Sequence, residues 1–290
     1  MRTSLFFGLA LALGSGGLLV SADTAAQSIR AMRAQAEGSM VLSGSIDIAV
    51  DGSVEGFQLA DEAKVEPYIK DFVKANVASW RFEPVMREGK AVRARTPVYL
   101  RLLATAGDEG RMQVALKSAS FEAYDSTATD SVVSLSMTPP QFPKALYEMG
   151  GAGEVALLLK INREGGVEDV IAEQVNVSVL SRGQVIERMR DIMARNSLAA
   201  ARKWRFRVPT TGEAVDEAYW TVRVPVNYSY DDARTRYGKW QAYVPGPRNR
   251  ASWDVGPDDG IESADTLPDG GVYMVGLTRK GPKLLTRLEG

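Results

Sequence analysis

Ala201-Arg202-Lys203-Trp204-Arg205-Phe206-Arg207-Val208-Pro209 and Val77-Ala78-Ser79-Trp80-Arg81-Phe82-Glu83-Pro84 are two versions of one phrase. Each holds Trp-Arg-Phe, then a proline, then Gly-x-Ala-Val: Gly212-Glu213-Ala214-Val215 in one, Gly89-Lys90-Ala91-Val92 in the other. Downstream, Arg223-Val224-Pro225-Val226 answers Arg95-Thr96-Pro97-Val98. Upstream, Gly153-x-Val155-x-Leu157 runs to the turn Gly165-Gly166, as Gly44-x-Ile46-x-Ile48 runs to Asp51-Gly52. Matching elements in matching order argue for an internal duplication.

The local pattern gives each copy a shape. Ile46, Ile48 and Val50 alternate on one face, Asp51-Gly52 signals a hairpin, and Val54 to Leu59 makes the return strand. Pro67 suits the first turn of a helix, and Val65, Ile69, Phe72, Val73, Val77 and Trp80 form one helical face. Pro84 stops it, and Val92 to Leu103 is a third strand. The second copy repeats this with strands over Gly153 to Ile161, Val167 to Val179 and Ala218 to Tyr230, and a helix over 183–203 that offers a break at Asn196-Ser197. The expected class is therefore α+β: two tandem β-β-α-β units, each a small antiparallel three-stranded sheet with a helix on one face. The units span 40–105 and 137–230, joined by a connecting segment, 106–136, with candidate strands Met112 to Ala119 and Val132 to Met137. A Gly- and Pro-rich tail, 231–290, is expected to be partly ordered, with weak strands at Val272 to Val275 and Leu284 to Leu288 and with Trp240, Tyr243 and Trp253 available to pack onto the second unit.

Composition narrows the chemistry. The 290 residues are 45% hydrophobic and 24% charged with a formal net charge of -1, which suits a globular protein and gives no footprint for nucleic acid. There is no cysteine and no histidine, so disulfides, Cys or His zinc sites and Ser-His-Asp arrangements are excluded. Carboxylates such as Asp51, Glu168-Asp169 and Asp258-Asp259 sit in or beside turns and form no catalytic pair. The expectation is a non-enzyme without cofactor or metal. Arg2, the apolar run Leu5 to Val20 and the small residues Ser21-Ala22 and Ala25-Ala26 have the form of a cleavable export signal over 1–26. The rival reading is an N-terminal anchor, although a spanning helix wants about 20 apolar residues.

Trp80, Phe82, Trp204 and Phe206 read as large core residues that close each helix onto its sheet. Arg81 and Arg205 alternate outward, exposed or paired with a local carboxylate. Pro97 and Pro225 cannot donate to a ladder, which places the third strand of each unit at a sheet edge. Such an edge can receive a strand from another chain, and proline also blunts it. Both readings stand.

At Pro140-Gln141-Phe142-Pro143, Gly153, Gly165-Gly166, Ala200-Ala201, Trp204-Arg205-Phe206 and Val224-Pro225-Val226 the second unit resembles the TonB C-terminal domain family. The first unit looks like a degenerate second copy, lacking the aromatic-Pro opening. The resemblance implies a periplasmic domain of the Gram-negative envelope, linked to TonB-dependent transmembrane transport. It would bind an extended peptide of an outer-membrane transporter by strand addition at the last strand. Carried over residue by residue, it assigns peptide binding to Pro140, Gln141, Phe142, Pro143, Thr221, Arg223, Pro225, Val226, Asn227 and Tyr228. Pro139 stands where transducers often carry a glutamine, and no proline precedes Pro67, so the proline-rich linker of a force transducer is absent. A periplasmic location follows from a cleaved signal. An inner-membrane location with an energising partner complex follows only from an anchor. A structural envelope protein and a homodimer through the same edges are the remaining alternatives.

Overall fold

The computed structural model describes residues 37–106, 112–231, 233–253, 266–275 and 281–288. The N-terminal 1–26 stretch lies outside these residues. No helix among the described residues is long and apolar enough to cross a membrane.

The elements run β1 (Glu37–Ile48), β2 (Val54–Leu59), α1 (Pro67–Ala78), β3 (Met86–Arg87), β4 (Lys90–Ala91), β5 (Ala94–Ala106), β6 (Met112–Ser120), β7 (Val133–Ser136), α2 (Lys144–Glu148), β8 (Gly153–Ile161), β9 (Val167–Val177), α3 (Gly183–Ala201), β10 (Arg205–Arg207), β11 (Trp220–Tyr228), α4 (Ala233–Arg236), β12 (Gln241–Tyr243) and β13 (Tyr273–Met274). The fold is α+β with antiparallel sheets. In one sheet β1 lies between β2 and β5, and in the other β8 lies between β9 and β11. That is the order in which a helical crossover returns the third strand beside the first.

Each sheet packs a helix. Pro67 opens α1, which buries Ile69, Val73 and Val77, one turn apart, against Ile46, Leu100 and Trp80. The longer α3 buries Ile186, Met189, Met193, Ser197 and Ala201 in a core with Leu157, Val224 and Trp204. It runs unbroken through Asn196-Ser197, because the Ser197 hydroxyl bonds the Tyr228 hydroxyl at 2.8 Å instead of capping a new turn. Burial of these apolar faces, at about 25 cal/mol per Å², is the main force holding both layers.

The Trp-Arg-Phe corners have one geometry. Phe82 N donates to Gly52 O at 2.8 Å, and Phe206 N donates to Gly165 O at 2.9 Å. Arg81 and Arg205 are exposed, and each gives a 2.9 Å bond to the carbonyl of the preceding tryptophan. Gly52 and Gly165 have φ of +82° and +76°, and a Cβ on either would lie 2.0 Å from the phenylalanine carbonyl oxygen. Alanine at either position is therefore expected to cost more than the roughly 1–2 kcal/mol of a left-handed backbone alone. Gly89→Ala, with φ +75° and nothing within 4 Å, gives the backbone cost by itself. Urea denaturation of the three variants should rank Gly89→Ala well below the other two. Equal losses would remove the shared corner as a structural constraint.

Two expectations change. β5 is not an edge strand: β6 pairs with it from Tyr99↔Ser120 to Ala106↔Met112. Pro97 is tolerated because it lies short of that ladder, opposite Ser45 of β1. β11 is bordered in part by β13, which pairs Val222↔Met274 and Arg223↔Tyr273.

The tail does more than cover that edge. β12 pairs with Glu37 to Ser39 of β1. Val244 then exchanges bonds of 2.8 and 3.1 Å with Val177 of the other sheet. Trp240 packs on the first-sheet core rather than the second, while the Trp253 carbonyl accepts from Tyr219 at 3.3 Å. Leu284 bridges Phe82. Arg101, 4% exposed, joins the two sheets directly through Glu154 at 3.0 Å.

Candidate functional site

The residues assigned to peptide binding fall on two elements. Pro140 to Pro143 precede α2, whose first residue follows Pro143. The others lie on β11, where exposure alternates strictly. Val226 and Tyr228 are on the core face with Trp220, Val222 and Val224, and Thr221, Arg223, Pro225 and Asn227 are on the opposite face.

The C-terminal end of β11 meets the Pro140–Pro143 segment. Asn196 Nδ2, from α3, donates to Gln141 O at 2.8 Å and to the Tyr228 hydroxyl at 3.0 Å. The Phe142 ring lies 5.9 Å from Tyr228 and 5.1 Å from Tyr230, and Tyr147 lies 5.8 Å from Tyr230. Tyr147 and Tyr230 are 65% and 52% exposed, so this aromatic group reaches the surface. Burial raises the Tyr228 phenol above its ordinary value, against the pull of the Ser197 and Asn196 hydrogen bonds. Tyr228 is thus a neutral, fixed post that ties strand end, helix and opening segment together. A recess of about 280 Å³ beside it is lined by Gly153, Ser178, Asn227, Tyr228 and Tyr230.

The outer edge of β11 has two parts. Val275 N donates to Thr221 O at 3.0 Å, so odd-numbered residues direct their backbone groups outward. Thr221 and Arg223 are covered by the tail strand. Pro225 follows with no N–H to offer. Asn227 comes next, and beyond Arg223 no strand pairs with this edge among the described residues.

Arg223 is not presented to a partner. Its Nε and Nη2 grip Glu173 of β9 at 2.7 and 2.9 Å, a bidentate pair across the sheet face. Glu173 is 2% exposed and also accepts from Arg248 Nη2 at 2.8 Å and Nε at 3.0 Å. The Glu173 carbonyl accepts from Asn249 N at 2.7 Å, so the tail is fixed to β9 as well. Glu173 and Arg248 were not singled out from sequence. Glu173 stands in an alternating strand with nothing nearby to mark it. Trp80, Phe82, Trp204 and Phe206 are each 1–3% exposed, as core residues should be.

No family model matches the chain. Over 105 residues the chain is 33% identical to Protein TonB of Xanthomonas campestris pv. campestris strain B100, and equally to Protein TonB of strain ATCC 33913. The match covers 36% of this chain and 41% of each relative, so the chain spans less than half the length of the curated relatives it matches. Over that stretch the chain is similar to these two proteins.

Proposed function

We propose that this chain is a periplasmic TonB-like binding protein, made of two tandem copies of one β-β-α-β unit, the first degenerate. It takes part in TonB-dependent transport by holding an extended peptide of an outer-membrane transporter against the edge of β11. Its role is binding, not chemistry. The observation that carries this reading is the 33% identity to Protein TonB. The outward backbone of Asn227 and the recess lined by Tyr228 and Tyr230 support it, because they offer an added strand a place to pair and an aromatic wall to lie on. The matched corners at Gly52–Phe82 and Gly165–Phe206 support the duplication. Likewise, a Cβ on Gly44 or Gly153 would meet a carbonyl of the neighbouring return strand at 2.2 Å in both units.

A second reading is favoured by β13. A chain that fills Thr221 and Arg223 with its own strand could be a closed structural module of the envelope. The two readings separate on binding. The test titrates full-length protein with labelled synthetic peptides copied from the periplasmic ends of outer-membrane transporters. Saturable binding is expected, weakened up to about tenfold by Asn227→Pro, which removes one outward N–H. Absence of binding to every such peptide, with normal transport in cells lacking the protein, would leave the structural module.

A further inference from the structure

A cleft of about 540 Å³ lies where the two sheets meet, walled by β1 and β12 on one side, by Glu154 and Asn227 on the other, and by the tail residues Thr266 to Asp269. It adjoins the β11 edge, since Asn227 and Arg236 line both this cleft and the recess beside Tyr228. Its walls are apolar and aromatic at Val41, Leu42, Tyr99, Tyr237, Tyr243 and Leu267. Ligand sites fall in the range of about 300–1,000 Å³, occur at junctions between packed units, and combine apolar walls with a few placed polar groups.

The charges in the cleft are unequal. Among the described residues, Lys64, Arg101, Arg236 and Lys239 line it against Asp61, Glu154 and Asp269, one more cation than anion. Lys64 is matched by Asp61 at 2.9 Å and Arg101 by Glu154 at 3.0 Å. Arg101 also lies 5.2 Å from the centre of the Tyr243 ring. Arg236 is held less well: its nearest carboxylate, Asp269, is 3.7 Å away, and its buried Nε has no hydrogen-bond partner. Lys239, exposed at the rim, forms no ion pair among the described residues. A buried guanidinium donor left without an acceptor is costly, and an oxyanion is the group that relieves it.

We propose that this cleft binds a small amphiphile with a single negative charge. Its apolar body lies on Val41, Leu42 and Leu267, and its anionic head lies between Arg236 and Lys239. This binding differs from that of the transporter peptide in using side chains at the junction of the sheets and not strand pairing, although Asn227 and Arg236 border both sites.

The test uses full-length protein and the fluorescent probe anilinonaphthalene sulfonate, followed by competition below micellar concentrations. Saturable binding at one site is expected. Dodecanoate should displace the probe and dodecyltrimethylammonium should not. If an acetylated hydrophobic tripeptide with a free carboxylate displaces it better than dodecanoate, the anion comes from a peptide end, and if worse, from an acyl chain. Arg236→Gln is expected to weaken probe binding roughly tenfold. Lys239→Gln, at an exposed position, should weaken it less but measurably and without loss of folding, while Lys144→Gln, remote from the cleft, should leave it unchanged. Equal displacement by the cationic detergent, unchanged affinity in both cleft variants, or no saturable binding would overturn the proposal.

Discussion

Trp204→Ala is expected to lower the stability of the protein by about 3–5 kcal/mol, the range for removing a buried large aromatic side chain. Trp204 is 3% exposed and closes α3 onto β8 and β11. Its indole N–H gives the Thr138 carbonyl a 2.8 Å bond, so the variant leaves both a cavity and an acceptor that has lost its donor. Thr138 lies just before Pro139 to Pro143, so the opening segment loses one of its tethers at the same time and keeps the Asn196–Gln141 bond. Trp204→Phe should recover much of the packing but not the hydrogen bond. The equivalent Trp80→Ala should cost a similar amount, because Trp80 packs edge-to-face on Phe121 with ring centres 5.7 Å apart. Urea denaturation followed by circular dichroism checks both. A loss below about 1 kcal/mol at either position would mean that the corner tryptophans are not structural.

The second large effect is expected at Glu173. Removing one partner of a buried ion pair costs about 3–5 kcal/mol, since the partner charge is left uncompensated. Glu173→Ala would leave Arg223, whose side chain is 13% exposed, without its carboxylate and would take from Arg248 its bonds to Glu173. Arg248→Ala should cost less, because that side chain is 33% exposed and solvent takes over part of its role. The tail is the distinguishing readout. Glu173→Ala should make residues 245–253 newly sensitive to protease, whereas Trp204→Ala at equal loss of stability should not do so selectively. A Glu173→Ala protein with wild-type stability and an uncut tail would contradict the network as described.

These two sites differ in how far the chain announces them. Trp204 was legible because it recurs beside Phe206 and arginine in a repeated phrase, and because apolar spacings of three and four lead into it. The strands β1, β2, β8 and β9 were legible for the same reason, with their turns marked by Asp51-Gly52 and Gly165-Gly166. Pairing between distant segments was not. Val272 to Val275 can be seen as a short apolar run, but nothing in it says that Tyr273 and Met274 lie along β11. Pro97 misled for a related reason. A proline forbids one N–H from entering a ladder, and β5 simply extends past it before β6 begins. In the candidate site, the meeting of Gln141 and Phe142 with Tyr228 followed from the family resemblance. Its physical basis is Asn196, which holds both at once, whereas the sequence marks Asn196-Ser197 only as a possible break in the helix.

Edge pairing on β11 is tested most directly by amide hydrogen exchange along this strand, with and without a transporter peptide. In the free protein Arg223, covered by β13, should exchange slowly and Asn227 quickly. On adding peptide, exchange should slow at Asn227 and at the peptide's own alternate amides, as strand pairing requires. Binding that leaves Asn227 unchanged would contradict edge pairing on β11 and would place the partner elsewhere on the surface.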